Sequence, residues 1–165
     1  MSQVETKLAR LGLSLPGPPS PVANYVRSVR VGDLVFLSGH GPTRDGSFAY
    51  TGKVGAERTV EEGYEAARLV MLNLLASLKQ EIHDLDRVDR VVKLLGMVNC
   101  TPDFGDHPRV INGASDLLVE LYGERGRHAR SAVGMQSLPS GITVEIEMIV
   151  QLEEGFELLH GNGGL

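Results

Sequence analysis

From Thr59 onward the apolar positions fall at steps of three and four. Ala67, Met71, Leu74, Leu75, Leu78 and Ile82 share one stripe, which predicts a long amphipathic helix. Its start is marked by Thr59-Val60-Glu61-Glu62, the spacing of a capping box in which threonine and glutamate each satisfy the other's backbone amide. A second stripe, Val110, Ala114, Leu117, Leu118 and Leu121, predicts a helix opened by Asp106-His107-Pro108 and ended by Gly123. A third, shorter one places Val4, Leu8 and Leu11 on one face ahead of Gly12.

Other stretches alternate instead. Val144, Ile146, Met148, Val150 and Leu152 take one face of a strand over 143–152, and Thr143, Glu145, Glu147 and Gln151 take the other. Tyr25 to Arg30 and Leu34 to Ser38 read as a hairpin joined by Val31-Gly32-Asp33. Val88 to Cys100 reads as a long, largely buried strand, and Ala129 to Gly134 as a short one. A glycine-rich loop is expected from Gly39 to Gly55, turning most sharply at Asp45-Gly46. The order is β-β-α-β-α-β-β after a short helix. It predicts an α+β fold of two βαβ-like halves sharing one mixed sheet, with both helices on one face. The other face, with Glu145 and Glu147 beside Ile149, is too mixed for a dry core and partly apolar, which points to self-association.

Length and composition narrow this further. At 165 residues the chain suits one domain, expected over 23–152. Residues 1–22 would form a helix and a proline-rich arm, since Leu15 to Pro21 holds four prolines that remove backbone donors. Residues 153–165, rich in glycine, would be a loose tail. A formal net charge of -5, with no basic stripe, argues against nucleic acid and anionic membranes as partners. The single cysteine, Cys100, excludes a disulfide framework and reads as a small buried residue at a strand end. No apolar run reaches membrane-spanning length, and Glu5, Lys7 and Arg10 break up the first residues, unlike a signal peptide. A cytoplasmic location is the default expectation.

The usual chemical signatures are missing. There is no G-x-x-x-x-G-K-[ST], H-E-x-x-H or G-x-S-x-G, and the five histidines stand singly with no metal-ligand spacing. Gly39-His40-Gly41-Pro42 lacks the lysine of a phosphate cradle and reads as a glycine turn. No cofactor is expected. What stands out is Arg130, at the start of a strand otherwise built of small residues, His128-Ala129-Arg130-Ser131-Ala132-Val133-Gly134. It reads two ways. It is either a solvated arginine or ion-pair partner of Glu145 or Glu147, or a rigid fork gripping a ligand carboxylate.

Here the residues resemble a known family. Arg130-Ser131-Ala132-Val133, Leu138-Pro139 and Val144-Glu145-Ile146-Glu147 are similar to the C-terminal signature of the YjgF/RidA family of reactive-intermediate deaminases. Tyr25-Val26, Leu37-Ser38-Gly39-His40-Gly41-Pro42 and Val110-Ile111-Asn112 extend the likeness over about residues 25–152. The resemblance implies a chorismate-mutase-like fold and a homotrimer with ligand clefts between subunits. It implies cofactor-free hydrolysis of 2-imino acids, or their enamine tautomers, to 2-keto acids and ammonia.

It also implies roles. Arg130 would grip the substrate carboxylate, with the Gly39 amide as a further donor. Glu145 would hold or activate the attacking water. Tyr25 would close the cleft, Asn112 would line it, and Ser38, His40 and Ala132 would border the substrate. Each has a plainer reading: Glu145 as a paired strand carboxylate, Tyr25 as edge packing, Asn112 as helix surface and Ser38 as a loop cap. Two positions depart from the family pattern. Ala132 stands where many deaminases carry cysteine, and His40 where glutamine is common, which would reshape the pocket and its pH dependence. The alternatives to a deaminase are a non-catalytic trimer binding a small carboxylate metabolite and, more weakly, an RNA-directed activity.

Overall fold

The computed structural model describes residues 2–17 and 24–155. Pro18 to Pro21 of the proline-rich stretch, and the tail beyond Gly155, lie outside the described residues. In chain order the elements are α1 (Gln3–Arg10), β1 (Ser28–Val31), β2 (Leu34–His40), β3 (Thr43–Arg44), β4 (Ser47–Phe48), α2 (Val60–Ile82), β5 (Val88–Asn99), α3 (His107–Tyr122), β6 (Ala129–Met135) and β7 (Val144–Leu152).

Five strands form one mixed sheet in the order β1-β2-β7-β5-β6. Only β5 and β6 are parallel; α3 connects them as a βαβ crossover. β2 and β5, joined through α2, lie either side of β7 and run antiparallel to it. The fold is α+β with three α-helices, and α2 and α3 cover the same face of the sheet. Their stripes, with Met71, Leu74, Leu75, Leu78, Ile111, Leu117 and Leu118 fully buried, meet Val35, Leu94, Ile146 and Met148. Burying each such side chain stabilises the fold by roughly 1.5–3 kcal/mol before the entropy of ordering is counted.

The capping box at Thr59 is formed: its hydroxyl accepts from the Glu62 amide at 3.1 Å, and the Glu62 carboxylate accepts from the Thr59 amide at 2.9 Å. α1 has its own, between Ser2 and Glu5. α1 is bound to the domain at both ends. The Asp86 carboxylate accepts from the amides of Gln3 and Val4 at 2.6 and 2.9 Å, an anion at a helix N-terminus. Lys7 Nζ donates to the Leu121 carbonyl at 2.6 Å, and Val4 and Leu8 enter the core.

Two local expectations are corrected. β1 begins at Ser28 rather than Tyr25, because opposite it β2 is interrupted: Leu37 pairs with Met148 but His40 with Ile146, so one extra residue bulges at 38–39. Ser38 there donates from its amide to the Arg27 carbonyl and from its hydroxyl to the Val26 carbonyl at 2.7 Å, in place of ladder pairing. The expected 39–55 loop instead starts with strand, since β2 runs to His40, and it carries the small hairpin β3–β4. Asp45 and Gly46, with φ of 51° and 78°, make its two-residue turn.

Candidate functional site

β6 and β7 each present one row of side chains to the helices and one to the open face of the sheet. Registered partners share a face, so Arg130, opposite Leu94 and in line with Met148, points to the helix side. Val133 is in line with Met97 and Glu145, and these three point to the open side. Arg130 and Glu145 of one protomer are therefore on opposite faces of the sheet. This removes the reading of Arg130 as an ion-pair partner of Glu145 or Glu147 within the chain.

Two side chains of α3 hold Arg130 instead. Its Nη1 donates to Asn112 Oδ1 at 2.9 Å and to Ser115 Oγ at 3.0 Å, and Nη2 lies 3.5 Å from the Pro108 carbonyl. Ser115 also contacts His128 Nε2 at 2.9 Å, and His128 Nδ1 contacts the Gly126 carbonyl at 2.6 Å. A carbonyl can only accept, so Nδ1 carries the proton and Ser115 donates to Nε2 while accepting from Arg130. Burial, and then the Arg130 charge, lower the His128 pKa and favour this neutral ring, against the Gly126 bond, which raises it. The result is a guanidinium fixed by neutral partners, with no carboxylate among the described residues to neutralise it.

Ser115 and His128 were not singled out by the sequence. Ser115 lies three residues after Asn112 and so on the same helix face, a spacing that identifies it only once Asn112 is known to face Arg130. Ala132, two residues after Arg130, shares its face and packs against the core beside Gly96, its registered partner.

Across the sheet the β2 bulge brings Gly39 under Glu145. A Cβ on Gly39 would collide with Glu145 Oε1 and lie 3.0 Å from its carboxyl carbon, so only the missing side chain lets the carboxylate rest there. Burial, and then the neighbouring Glu147, push the Glu145 pKa up. A carboxyl raised in this way accepts and returns a proton at more nearly neutral pH than an exposed one.

The remaining positions fall outside these two clusters. His40 is buried on the helix side, its Nδ1 at 2.7 Å from the Ser38 carbonyl and Nε2 at 2.7 Å from Ser77 Oγ. Its ring ties the bulge to α2 and does not face Glu145. Ser38 is engaged with Val26 as described. Tyr25 precedes β1 and is 47% exposed. Among the described residues no group of three or more His, Cys, Asp or Glu is placed to hold a metal ion, and no helix is long and apolar enough to cross a membrane.

Residues 5–149 match the family described as "YjgF/chorismate_mutase-like, putative endoribonuclease". The chain belongs to this family. Protein TCP17 of Trypanosoma cruzi is 44% identical to this YjgF-family chain over 151 residues, which is 91% of the chain and 94% of that protein. A 2-iminobutanoate/2-iminopropanoate deaminase of Dermatophagoides farinae is 28% identical over 86% of the chain and 95% of that protein. The crystal structure of Atu1372 from Agrobacterium tumefaciens, a protein of unknown function, superposes with a TM-score of 0.86 at 43% identity, covering 92% of this chain and 93% of that one. Both the YjgF fold and the segments carrying Arg130 and Glu145 lie within the matched residues.

Proposed function

We propose that this protein hydrolyses 2-imino acids, or their enamine tautomers, to 2-keto acids and ammonia in clefts between copies of the chain, three to an assembly. The observation that carries the reading is Arg130, held by Asn112 and Ser115 yet paired with no carboxylate among the described residues. A buried-side fork so prepared suits a planar carboxylate from a ligand. The imino-acid deaminase among its relatives supplies the reaction class.

In this reading Arg130 binds the substrate carboxylate, and the Gly39 amide at the bulge is a further donor. The iminium carbon is already electrophilic, so the step needs an oriented water and a proton acceptor. Glu145 takes a proton as water oxygen bonds to that carbon, and the C=N pair moves to nitrogen. The carboxyl then returns that proton to nitrogen, and as the C–N bond breaks the Glu145 carboxylate takes the hydroxyl proton, so that ammonia leaves and the keto acid remains. Tyr25 closes the cleft.

The open face of the sheet supports the same reading. It carries Val29, Phe36, Leu95, Met97, Val133 and Ile149 beside Lys93, Glu145 and Glu147, a partly apolar surface with Val29, Phe36 and Val133 exposed in the single chain. Packing such faces together would cover it. It would also bring the open-face Glu145 and Gly39 of one copy toward the edge strand β6 of another, where Arg130 sits.

The completeness of the Arg130 cluster in a single chain favours a second reading, a trimer that binds a small carboxylate without catalysis. An amino-acid oxidase generating 2-iminopropanoate, with keto-acid release followed with and without the protein, separates the two. Acceleration supports the deaminase. No acceleration across several side chains, with keto-acid binding retained, leaves the binding protein. An RNA-directed activity is the weakest reading, given the net charge of -5.

A further inference from the structure

A cavity of about 650 Å3 opens at the start of α3, with Lys53, Cys100, Phe104, His107, Gly134 and Met135 in its wall. None of the residues assigned to the imine site lines it. Inside it Cys100 Sγ lies 3.5 Å from His107 Nε2, within reach of a sulfur hydrogen bond. Phe104 meets the imidazole edge-on at 5.2 Å between ring centres, which fixes the ring's plane. Gly134 provides the room. A Cβ there would stand 2.5 Å from Nε2 and 2.9 Å from Sγ, so β6 passes the pair with bare backbone.

A small buried hydrophobe, the plain reading of Cys100, explains its 7% exposure but not a base held at its sulfur. Nor does it explain Lys53. That ammonium donates to Asn99 Oδ1 at 2.7 Å and to the carbonyls of Gln136 and Cys100, and no carboxylate among the described residues pairs with it. The cavity thus joins an ammonium, a thiol with a proton acceptor, and the apolar surfaces of Phe104 and Met135; the Glu57 carboxylate, bonded to the Lys53 amide, lies outside its wall. Burial pushes the thiol's pKa up, so the sulfur becomes nucleophilic only as the imidazole takes its proton.

We propose that this cavity is a second, reactive site, at which Cys100 is alkylated by small carboxylates that carry an electrophilic carbon. With an α,β-unsaturated carboxylate the sulfur bonds to the β-carbon as the C=C electron pair moves to the α-carbon. The thiol proton, taken by His107 Nε2, ends on that α-carbon. With a haloacetate the sulfur displaces halide and the proton passes from the imidazole to solvent. Lys53, giving up its long 3.5 Å bond to the Cys100 carbonyl, holds the carboxylate end in either case.

Cys100 is the only cysteine in the sequence, so the mass increment that disappears in Cys100→Ser reports its modification. The folded protein is treated with iodoacetate or with iodoacetamide, and glutathione in the same buffer serves as the unassisted thiol. The expected result is an iodoacetate-to-iodoacetamide rate ratio about tenfold above that of glutathione. Lys53→Gln returns the ratio to the glutathione value while leaving the iodoacetamide rate, His107→Gln slows both reagents, and Gly134→Ala blocks both. Arg130→Ala changes neither rate, which separates this site from the imine site. A wild-type ratio equal to that of glutathione, or modification only after unfolding, overturns the proposal without reference to any variant.

Discussion

The Glu145 carboxylate occupies the space that a Cβ on Gly39 would fill, at the β2 bulge. Gly39→Ala would therefore push the carboxylate aside rather than merely stiffen the backbone. The expected outcome is a loss of imine-hydrolysing activity of about tenfold or more, with a stability loss of only about 1–2 kcal/mol. Keto-acid release and thermal unfolding on the same preparation check both halves.

Arg130 is expected to carry the carboxylate affinity. Removing a charge-assisted, bidentate contact costs about 2–3 kcal/mol, so Arg130→Ala should weaken keto-acid binding by roughly 30- to 150-fold. Arg130→Lys should recover only part of this, because an ammonium lacks the planar fork. Titration calorimetry with pyruvate measures it. Ser115→Ala, which leaves the guanidinium but removes one of its two side-chain holds, should give an intermediate loss.

Glu145→Gln separates catalysis from folding. The Glu145 pKa is raised, so the fold favours its protonated form; stability from that preference is present below the unfolded value of 4.5 and is lost as pH rises through the folded value. At neutral pH the carboxylate contributes no stability, and the variant should melt no lower than the wild type. Turnover should fall at least about 100-fold. In the wild type kcat/KM should decline with acidification as Glu145 takes its proton.

One buried histidine, His40, and one half-buried, His128, set a second pH window. Burial lowers the pKa of His40 and of His128 below 6.5, so the unfolded chain binds these protons first. Their contribution to stability is complete above 6.5 and lost as pH falls through the folded values. Protonating His128 also takes from Ser115 its hydrogen-bond acceptor and loosens the hold on Arg130. Carboxylate affinity should weaken over the same range. Urea unfolding and pyruvate titration from pH 7.5 to 5 check this, and His128→Gln should flatten the decline in affinity.

The elements were legible because each rested on a repeated local signal: the stripes of α2 and α3, the alternation of β7, the capping box at Thr59 and the Asp45-Gly46 turn. The motif likewise located Arg130 and Glu145. What it did not convey was their direction, because facing depends on register, and the pairing of Arg130 with Leu94 and of Glu145 with Met97 is a property of the sheet. His40 shows the same gap. One extra residue in β2 turns it from the expected substrate border into the interior, where Ser77 of α2 meets it. Ser115, His128 and the Asp86 anchor of α1 are long-range contacts with no local pattern at all.

The central claim is that one substrate is held by Arg130 from one copy and acted on by Glu145 from another, since a single chain keeps them on opposite faces of its sheet. Mixing two inactive variants tests it directly. Arg130→Ala and Glu145→Gln, unfolded together in equal amounts and refolded, should regain deaminase activity. Random assembly leaves about a quarter of the clefts with both native groups, so about a quarter of wild-type activity should return. A mixture no more active than the two variants refolded separately, when each alone still assembles, would contradict the shared site.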